Sequence, residues 1–384
     1  MYYITVEQSP SYHQMTLEEL LTQPSPHSYT ISKNTSNTRT YETDTISPNM
    51  AARFGVDIDQ LIDVLKKFNA STEAIRKANM NELYTSFSIP KKSGRGFRRI
   101  DAPNDSLKLA LTQLKSIFEN DFKGLYHTSA FAYIKGRCTI DAVKRHQKNE
   151  SRWFGKYDLS NFFGSTTIDF VMNQLSIIYP FSEVIKNAEG RIELKKALDI
   201  AFLNGGLPQG TPFSPTITNI MMIPIDFKLS KLLRDYNKQA FVYTRYADDF
   251  IISSKYDFDF RSIEKIIDDV LTEFKAPFKI NQTKTRYGSS AGSNWNLGVM
   301  LNKDNKITIG YKRKHAFKAM VTNYVLDFLN GNPWDRDQVM YMAGLYSYYK
   351  MVEGQEFERQ INNHIKNKYN VDLGQMIKRD INSL

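Results

Sequence analysis

The chain has 384 residues, 41% of them apolar and 24% charged, proportions ordinary for a soluble globular protein with a sizeable core. Its net charge of +10 points to a polyanionic partner, nucleic acid first, although a basic surface kept for solubility would read the same. A single cysteine, Cys138, excludes a disulfide framework or a cysteine zinc set and reads as a buried spare thiol in a reducing cytoplasm. The opening MYYITVEQSPSYHQ lacks the basic start and apolar run of a secretory signal, and no stretch nears the roughly 20 apolar residues of a membrane span, so a soluble, cytoplasmic protein with no membrane partner is expected.

Residues 1–50 are rich in Ser and Thr and carry two basic against five acidic residues. Within them residues 15–21 form one short amphipathic piece, with Thr16 as candidate N-cap and Glu19 three positions on; the rest reads as a polar arm. Beyond Pro48, Leu61, Val64, Leu65 and Phe68 recur at helical spacing, and a second helix is predicted over residues 72–83. Residues 86–100 read as two short strands joined by the basic turn Lys92-Ser93-Gly94-Arg95-Gly96. Pro103-Asn104 opens a long helix whose predicted apolar face is Leu107, Leu109, Leu111, Leu114, Ile117 and Phe118. Strands are predicted over 153–163 and 241–252, the second around a polar turn, and helices near 168–177 and 214–236. After the turn Asn302-Lys303-Asp304-Asn305 the chain reads as helical to its end. Strands and helices mix without a strict βαβ rhythm, which argues for an α+β class.

The most informative tetrapeptide is Tyr246-Ala247-Asp248-Asp249. Strand-like apolar flanks would draw two adjacent acids toward a core, where unpaired charge is costly. A tight turn between strands resolves this by presenting both carboxylates at one tip, where hard divalent cations could bind. An ordinary hairpin turn would also favour Asp. A second acid, Asp158, ends another predicted strand, 90 residues before Asp248 in sequence. Carboxylates converging from separate strands are what a pair of catalytic metal ions needs.

Three segments in order, FGKYDLSNFF from Phe154, GGLPQGTPFSP from Gly205 and YADD from Tyr246, resemble the catalytic motifs of the reverse transcriptase palm. FSIPKKSGRGFRRIDAPNDSLK, from Phe87, resembles the fingers of retron-like and group-II-intron-like bacterial enzymes. FKINQTKT from Phe278 and NLGVML from Asn296 resemble their downstream motifs, so the likeness covers about residues 60–350.

The resemblance implies a right-hand polymerase fold, divided as a polar arm at 1–50, fingers at 51–150, palm at 151–310 with an insertion around 164–215, and a helical thumb at 311–384. It implies an RNA-directed DNA polymerase with two Mg²⁺ ions, Mn²⁺ being an alternative, held by Asp158, Asp248, Asp249 and the carbonyl of Leu159. Lys91 and Arg98 match the residues that hold the incoming triphosphate, in a stretch, residues 91–115, with seven basic and two acidic residues. A solvated basic hairpin is the alternative. Phe163, five residues after Asp158, matches the gate that excludes a ribose 2′-hydroxyl, so the substrate is a dNTP; a core ring is its plainer reading, which adjacent Phe162 fits better. Gln209 matches a residue beside sugar and template. Lys284 matches a general acid toward pyrophosphate, a surface lysine being the alternative. Residues 296–301 match the primer grip, with Trp295 beside it, and Lys312, Arg313 and Lys314 begin a basic, tyrosine-rich region suited to a duplex.

Two departures bear on the subfamily: Asp141-Ala142-Val143-Lys144-Arg145-His146 stands where retron enzymes tend to carry NA..H, and Asn296-Leu297-Gly298-Val299 where they tend to carry VTG. The first catalytic motif also ends FFGS rather than FFPS. These favour a defence-associated, retron-like enzyme that copies a cognate structured noncoding RNA into DNA, over a true retron enzyme making msDNA. A homo-oligomer or accessory protein is open. The runner-up from another class is an idle palm fold kept as an RNA-binding scaffold, against which the intact acids argue.

Overall fold

The computed structural model describes residues 55–90, 96–123, 125–236, 240–291 and 297–383. The polar arm, residues 91–95 with Lys91 and most of the basic turn, and Trp295 with Asn296 lie outside the described residues.

Helix α1 (Ile58–Ser71) begins where Asp57 Oδ1 accepts from the amides of Asp59 and Gln60 at 3.0 and 3.2 Å, and it buries Leu61, Ile62, Leu65 and Phe68. The second predicted helix is broken in two. α2 (Glu73–Lys77) ends at Ala78, and Asn79 starts a separate 3₁₀ turn over Met80–Leu83 by accepting from the Asn81 amide. β1 (Tyr84–Pro90) and β2 (Phe97–Pro103) form an antiparallel hairpin.

α3 (Asp105–Ser116) is capped by Asn104, whose Oδ1 accepts from the Leu107 amide at 3.0 Å. Its buried face is Leu107, Ala110, Leu111 and Leu114, while Leu109, expected there, is 61% exposed. The reason is angular: two residues on from Leu107 lies about 200° around the helix axis. A π turn, Ile117–Asp121, carries the chain on and buries Phe118.

α4 (Thr139–Lys148) begins at Cys138, which is half-buried rather than buried, with Sγ 3.1 Å from Asp141 Oδ2. β3 (Trp153–Asp158) stops at the acid instead of running on to 163, because Asn161 takes up left-handed φ 48° and leads into α5 (Phe162–Ser165). α6 (Ile168–Leu175) follows as expected. α7 (Phe181–Lys186) and α8 (Ala188–Asp199), read from sequence only as an insertion, are helical; Asn187 caps α8, which packs on α1 and buries Leu194, Ala197 and Leu198.

The long helix expected over 214–236 is two, α9 (Ser214–Met221) and α10 (Ile223–Asp235), divided where Pro224 has no amide to donate. β4 (Val242–Tyr246) and β5 (Asp249–Ser254) are the hairpin inferred from the polar turn. α11 (Phe260–Glu273), β6 (Arg286–Ser289), β7 (Met300–Leu301) and β8 (Ile307–Thr308) follow. Then come α12 (Tyr311–Leu329), α13 (Arg336–Glu353), α14 (Gln355–Tyr369) and α15 (Leu373–Ser383).

The central sheet has order β4-β5-β3-β6, all pairs antiparallel, so the fold is α+β. One core runs from Leu61 to Ile280 and takes in residues from α1, α3, the sheet and α6 to α11. The C-terminal helices have their own, from Ile309 to Ile377. Among the described residues no helix is long and apolar enough to cross a membrane.

Candidate active site

The β4–β5 turn is tight because Ala247 adopts φ 57°, which leaves Asp248 and Asp249 at the start of β5. Antiparallel register places Asp158, the last residue of β3, opposite Asp249. The next amide, Leu159 N, donates to the Asp248 carbonyl at 3.0 Å. From the other side Asn281 N donates to the Asp158 carbonyl at 2.7 Å, and Ser160 N to the Lys279 carbonyl at 2.8 Å. Two strand ends and the segment after α11 thus bring Asp158, Leu159, Asp248, Asp249 and Lys284 together.

Two lysines answer the three carboxylates. Lys284 Nζ donates to Asp158 Oδ1 and Oδ2 at 2.9 and 3.1 Å. Lys156 Nζ, from β3, lies 3.0 Å from Asp249 Oδ1 as an ion pair, an oxygen that is buried and has no well-aligned hydrogen bond. Among the described residues no lysine pairs with Asp248, although the charge of Lys284 acts on it from Asp158. Burial, then the charges of Asp249 and Asp158, push its carboxyl up to about 6. Burial also raises Asp249, with Lys156 working against the shift.

As they stand, no three His, Cys, Asp or Glu side chains among the described residues are gathered to hold a metal ion, because Asp158 and Asp249 are turned to their lysines. The donor chemistry nevertheless fits a hard cation. It consists of carboxylate oxygens carrying more negative charge than the lysines cancel, one of them buried without a hydrogen bond.

The loop after α8 is pressed against the site. Leu207 N donates to the Phe163 carbonyl at 3.0 Å, and a Cβ on Gly206 would stand 2.2 Å from the Gly164 carbonyl oxygen, so only glycine fits. The Gln209 carbonyl accepts from Asp101 N at 2.8 Å, and Gly210, at φ 118°, passes beneath Ile100. This ties the loop to the hairpin that carries the exposed Arg98. Phe163 is half-buried, whereas Phe162 is 2% exposed and packs on Phe278 at 4.9 Å between centroids. Both rings sit on the α5 turn, so helical geometry and not strand alternation separates them.

Further from the acids, Lys312 is exposed, Arg313 Nη1 donates to the Gly298 carbonyl, and Lys314 is paired with Glu353. The segment after Asn296 is therefore fastened to α12, with Val299 and Leu301 fully buried.

The sequence reading missed the supports beneath the site. Arg245 and Asp226 are both wholly buried and joined by bonds of 2.8, 3.1 and 2.8 Å. Tyr243 Oη donates to Asp226 at 2.7 Å, and Arg245 Nη1 reaches Asn219 Oδ1 and the Ala247 carbonyl, each at 3.2 Å. His146, also buried, bridges Ser253 Oγ at 2.6 Å and Thr244 Oγ1 at 2.8 Å, linking α4 to both strands of the hairpin. An arginine inside an apolar strand, VYTRYADDF, was the available signal for the first of these networks.

Residues 89–319 match the sequence model of a family described as reverse transcriptase (RNA-dependent DNA polymerase). The chain is 27% identical over 320 residues to the Retron Ec83 reverse transcriptase of Escherichia coli, spanning 82% of this chain and 96% of that protein. It is 32% identical over 218 residues to the Retron Ec73 reverse transcriptase of the same species, 54% of this chain and 64% of that protein. To the Retron Mx65 reverse transcriptase of Myxococcus xanthus it is 26% identical over 292 residues, 72% of this chain and 63% of that protein. Among solved structures, telomerase from Candida albicans with a TWJ fragment of telomeric RNA aligns at TM-score 0.44 and 13% identity, over 74% of this chain and 54% of that one.

Proposed function

We propose that this chain, which belongs to the reverse transcriptase family and is a retron-like RNA-directed DNA polymerase, works through two divalent cations held by Asp158, Asp248, Asp249 and the Leu159 carbonyl. The observation that carries this reading is the convergence of the three carboxylates on hydrogen-bonded strand ends, with Asp248 pushed up to about 6 by burial and like charge. Bound there, magnesium or manganese would supply the positive charge that an attacking 3′-hydroxyl and a leaving pyrophosphate require.

The chain's own residues do the rest. Arg98, on the exposed hairpin, and Lys91 after β1 hold the triphosphate of a dNTP. Phe163 lies under its sugar and excludes a 2′-hydroxyl, and Gln209, fixed by the Asp101 amide, borders sugar and template. Lys284 faces the departing pyrophosphate. Trp295 and the basic start of α12 contact the nucleic acid.

The retron relatives and the net charge of +10 support a cognate structured noncoding RNA as template, with DNA as product. The departures at residues 141–146 and 296–299 are the basis for reading it as an enzyme of anti-phage defence, and the single cysteine for a reducing cytoplasm, with room for an accessory protein or a second copy.

Asp158→Asn and Asp248→Asn should each abolish Mg²⁺-dependent dNTP incorporation on a primed RNA template while leaving the melting temperature within a few degrees. Incorporation retained in both would remove the site assignment. Sequencing the nucleic acid that co-purifies with the chain should return one RNA species and its complementary DNA; a random mixture would remove the cognate RNA.

A further inference from the structure

The loop that leads into α4 is pinned along its length and yet presents a large ring outward. Arg245 N donates to the Ser129 carbonyl at 2.6 Å and Phe131 N to the Arg245 carbonyl at 2.9 Å. Asn219 Nδ2 donates to the Ala132 carbonyl at 2.7 Å, and Arg137 Nη1 to the carbonyls of His127 and Ala130 at 2.8 and 2.7 Å. Ala130, Phe131 and Ala132 are buried accordingly. The next residue, Tyr133, is 52% exposed.

Its backbone is also in the left-handed region, at φ 61°, where a bulky residue is strained and glycine or asparagine is the usual occupant. Strain of this kind persists only where the surroundings impose it, and it collects at functional sites. A half-exposed ring gains little from burial, so packing does not account for a tyrosine here.

Its neighbours do account for it. The Tyr133 ring centroid lies 6.5 Å from that of Tyr246, which immediately precedes the Ala247-Asp248 turn. Partial burial and then the charge of Asp248 raise the Tyr133 phenol, with Arg98 acting in the opposite sense, so the ring is within electrostatic reach of both the acid and the triphosphate-binding arginine.

We propose that Tyr133, backed by Tyr246, is the surface on which the terminal base pair of the primer–template hybrid rests. The inference depends on the polymerase site assigned above: a primer 3′-hydroxyl at Asp158 and Asp248 puts the terminal pair beside these rings. An aromatic face suits that duty because every base offers a π-face, so the contact tolerates any sequence being copied. Its rigid loop, held by Arg245, Asn219 and Arg137, keeps the ring in place before the hybrid arrives.

The test is the affinity of the full chain for an RNA template annealed to a DNA primer, without nucleotides, across a salt series, alongside steady-state extension. Tyr133→Ala should weaken hybrid binding about tenfold, the effect of losing one aromatic platform. It should leave the salt dependence unaltered, since no phosphate contact is lost. Tyr133→Phe should stay within about twofold of wild type, because the ring is retained. Tyr256→Ala, on the 64% exposed Tyr256 just beyond the far end of β5, serves as a surface control. Unchanged affinity in Tyr133→Ala, an equal loss in Tyr133→Phe, or a melting temperature that falls in step with affinity would overturn the proposal. Wild-type protein that bound hybrid but extended no primer would instead overturn the polymerase reading, and the binding measurements would still decide the role of Tyr133.

Discussion

Replacing Arg245 by Met should be among the most damaging single changes in the molecule. Arg245 and Asp226 are 0% exposed, and three nitrogen–oxygen contacts of 2.8 to 3.1 Å join them. Removing the guanidinium leaves the Asp226 carboxylate buried and, among the described residues, hydrogen-bonded through its side chain to the Tyr243 hydroxyl at 2.7 Å with no cation to answer its charge. Breaking one side of a buried pair costs about 3–5 kcal/mol, a large part of the roughly 5–15 kcal/mol that holds a domain together. Asp226→Leu combined with Arg245→Met removes both charges and should recover most of that loss. It should remain about 1–2 kcal/mol short, because Tyr243 Oη and Asn219 Oδ1 each lose a partner. Urea unfolding followed by circular dichroism measures all three variants. The double variant should still show depressed kcat with little change in KM for the hybrid, since Arg245 Nη1 no longer holds the Ala247 carbonyl and the peptide that aims Asp248 is freed. A loss below about 1 kcal/mol in Arg245→Met, or a double variant no more stable than the single, would refute the reasoning.

Phe163→Ala should admit ribonucleotides, read as a fall in the dNTP/NTP preference of primer extension; an unaltered ratio would make Phe163 a packing residue. Lys312→Ala should flatten the log–log salt dependence of RNA binding by about 0.9, whereas adding Lys314→Ala should contribute less because Glu353 already pairs with Lys314. Burial holds the imidazoles of His146 and His127 down to about 3 and about 4. The unfolded chain takes up protons near pH 6.5 that the folded one refuses, so stability is lost as pH falls below 6.5, by up to about 1.4 kcal/mol per unit per histidine. Melting temperatures between pH 7.5 and 5 check this. The decline should be shallower in His146→Gln, and a flat profile would contradict the buried neutral rings.

The β4–β5 hairpin was legible because the sequence reports it twice: two acids interrupt a strand-like run, and the interruption needs only a local turn. Asp158 was legible by the same logic at the end of β3. Helix ends were less so. The break at Ala78 and the division before Pro224 depend on caps and a missing amide that a periodicity count over residues 72–83 or 214–236 does not weigh. Helices α7 and α8 were passed over because their buried residues acquire meaning only once α8 lies against α1. The least legible feature was Arg245. Nothing local says that its partner is Asp226, 19 residues earlier on α10, or that its own amide and carbonyl hold the loop at Ser129 and Phe131.

Charge in this molecule is arranged in two layers with different freedom to move. Beneath the site, Arg245 and Asp226 are fully buried and multiply bonded, so separating them carries the full cost of a bare interior charge. At the mouth, Lys284 is 57% exposed on a flexible stem, although its partner Asp158 is 7% exposed. In the proposed polymerase site, a divalent cation at Asp158 would take over the charge that Lys284 now answers. Lys156 is more enclosed, at 29% exposure, and sits on β3 itself, so it holds Asp249 more firmly. Asp248, with which no lysine among the described residues pairs, has its carboxyl raised to about 6 by burial and by its acidic neighbours. The buried lower layer fixes where the carboxylates stand, and the two lysines of the upper layer offset part of their mutual repulsion.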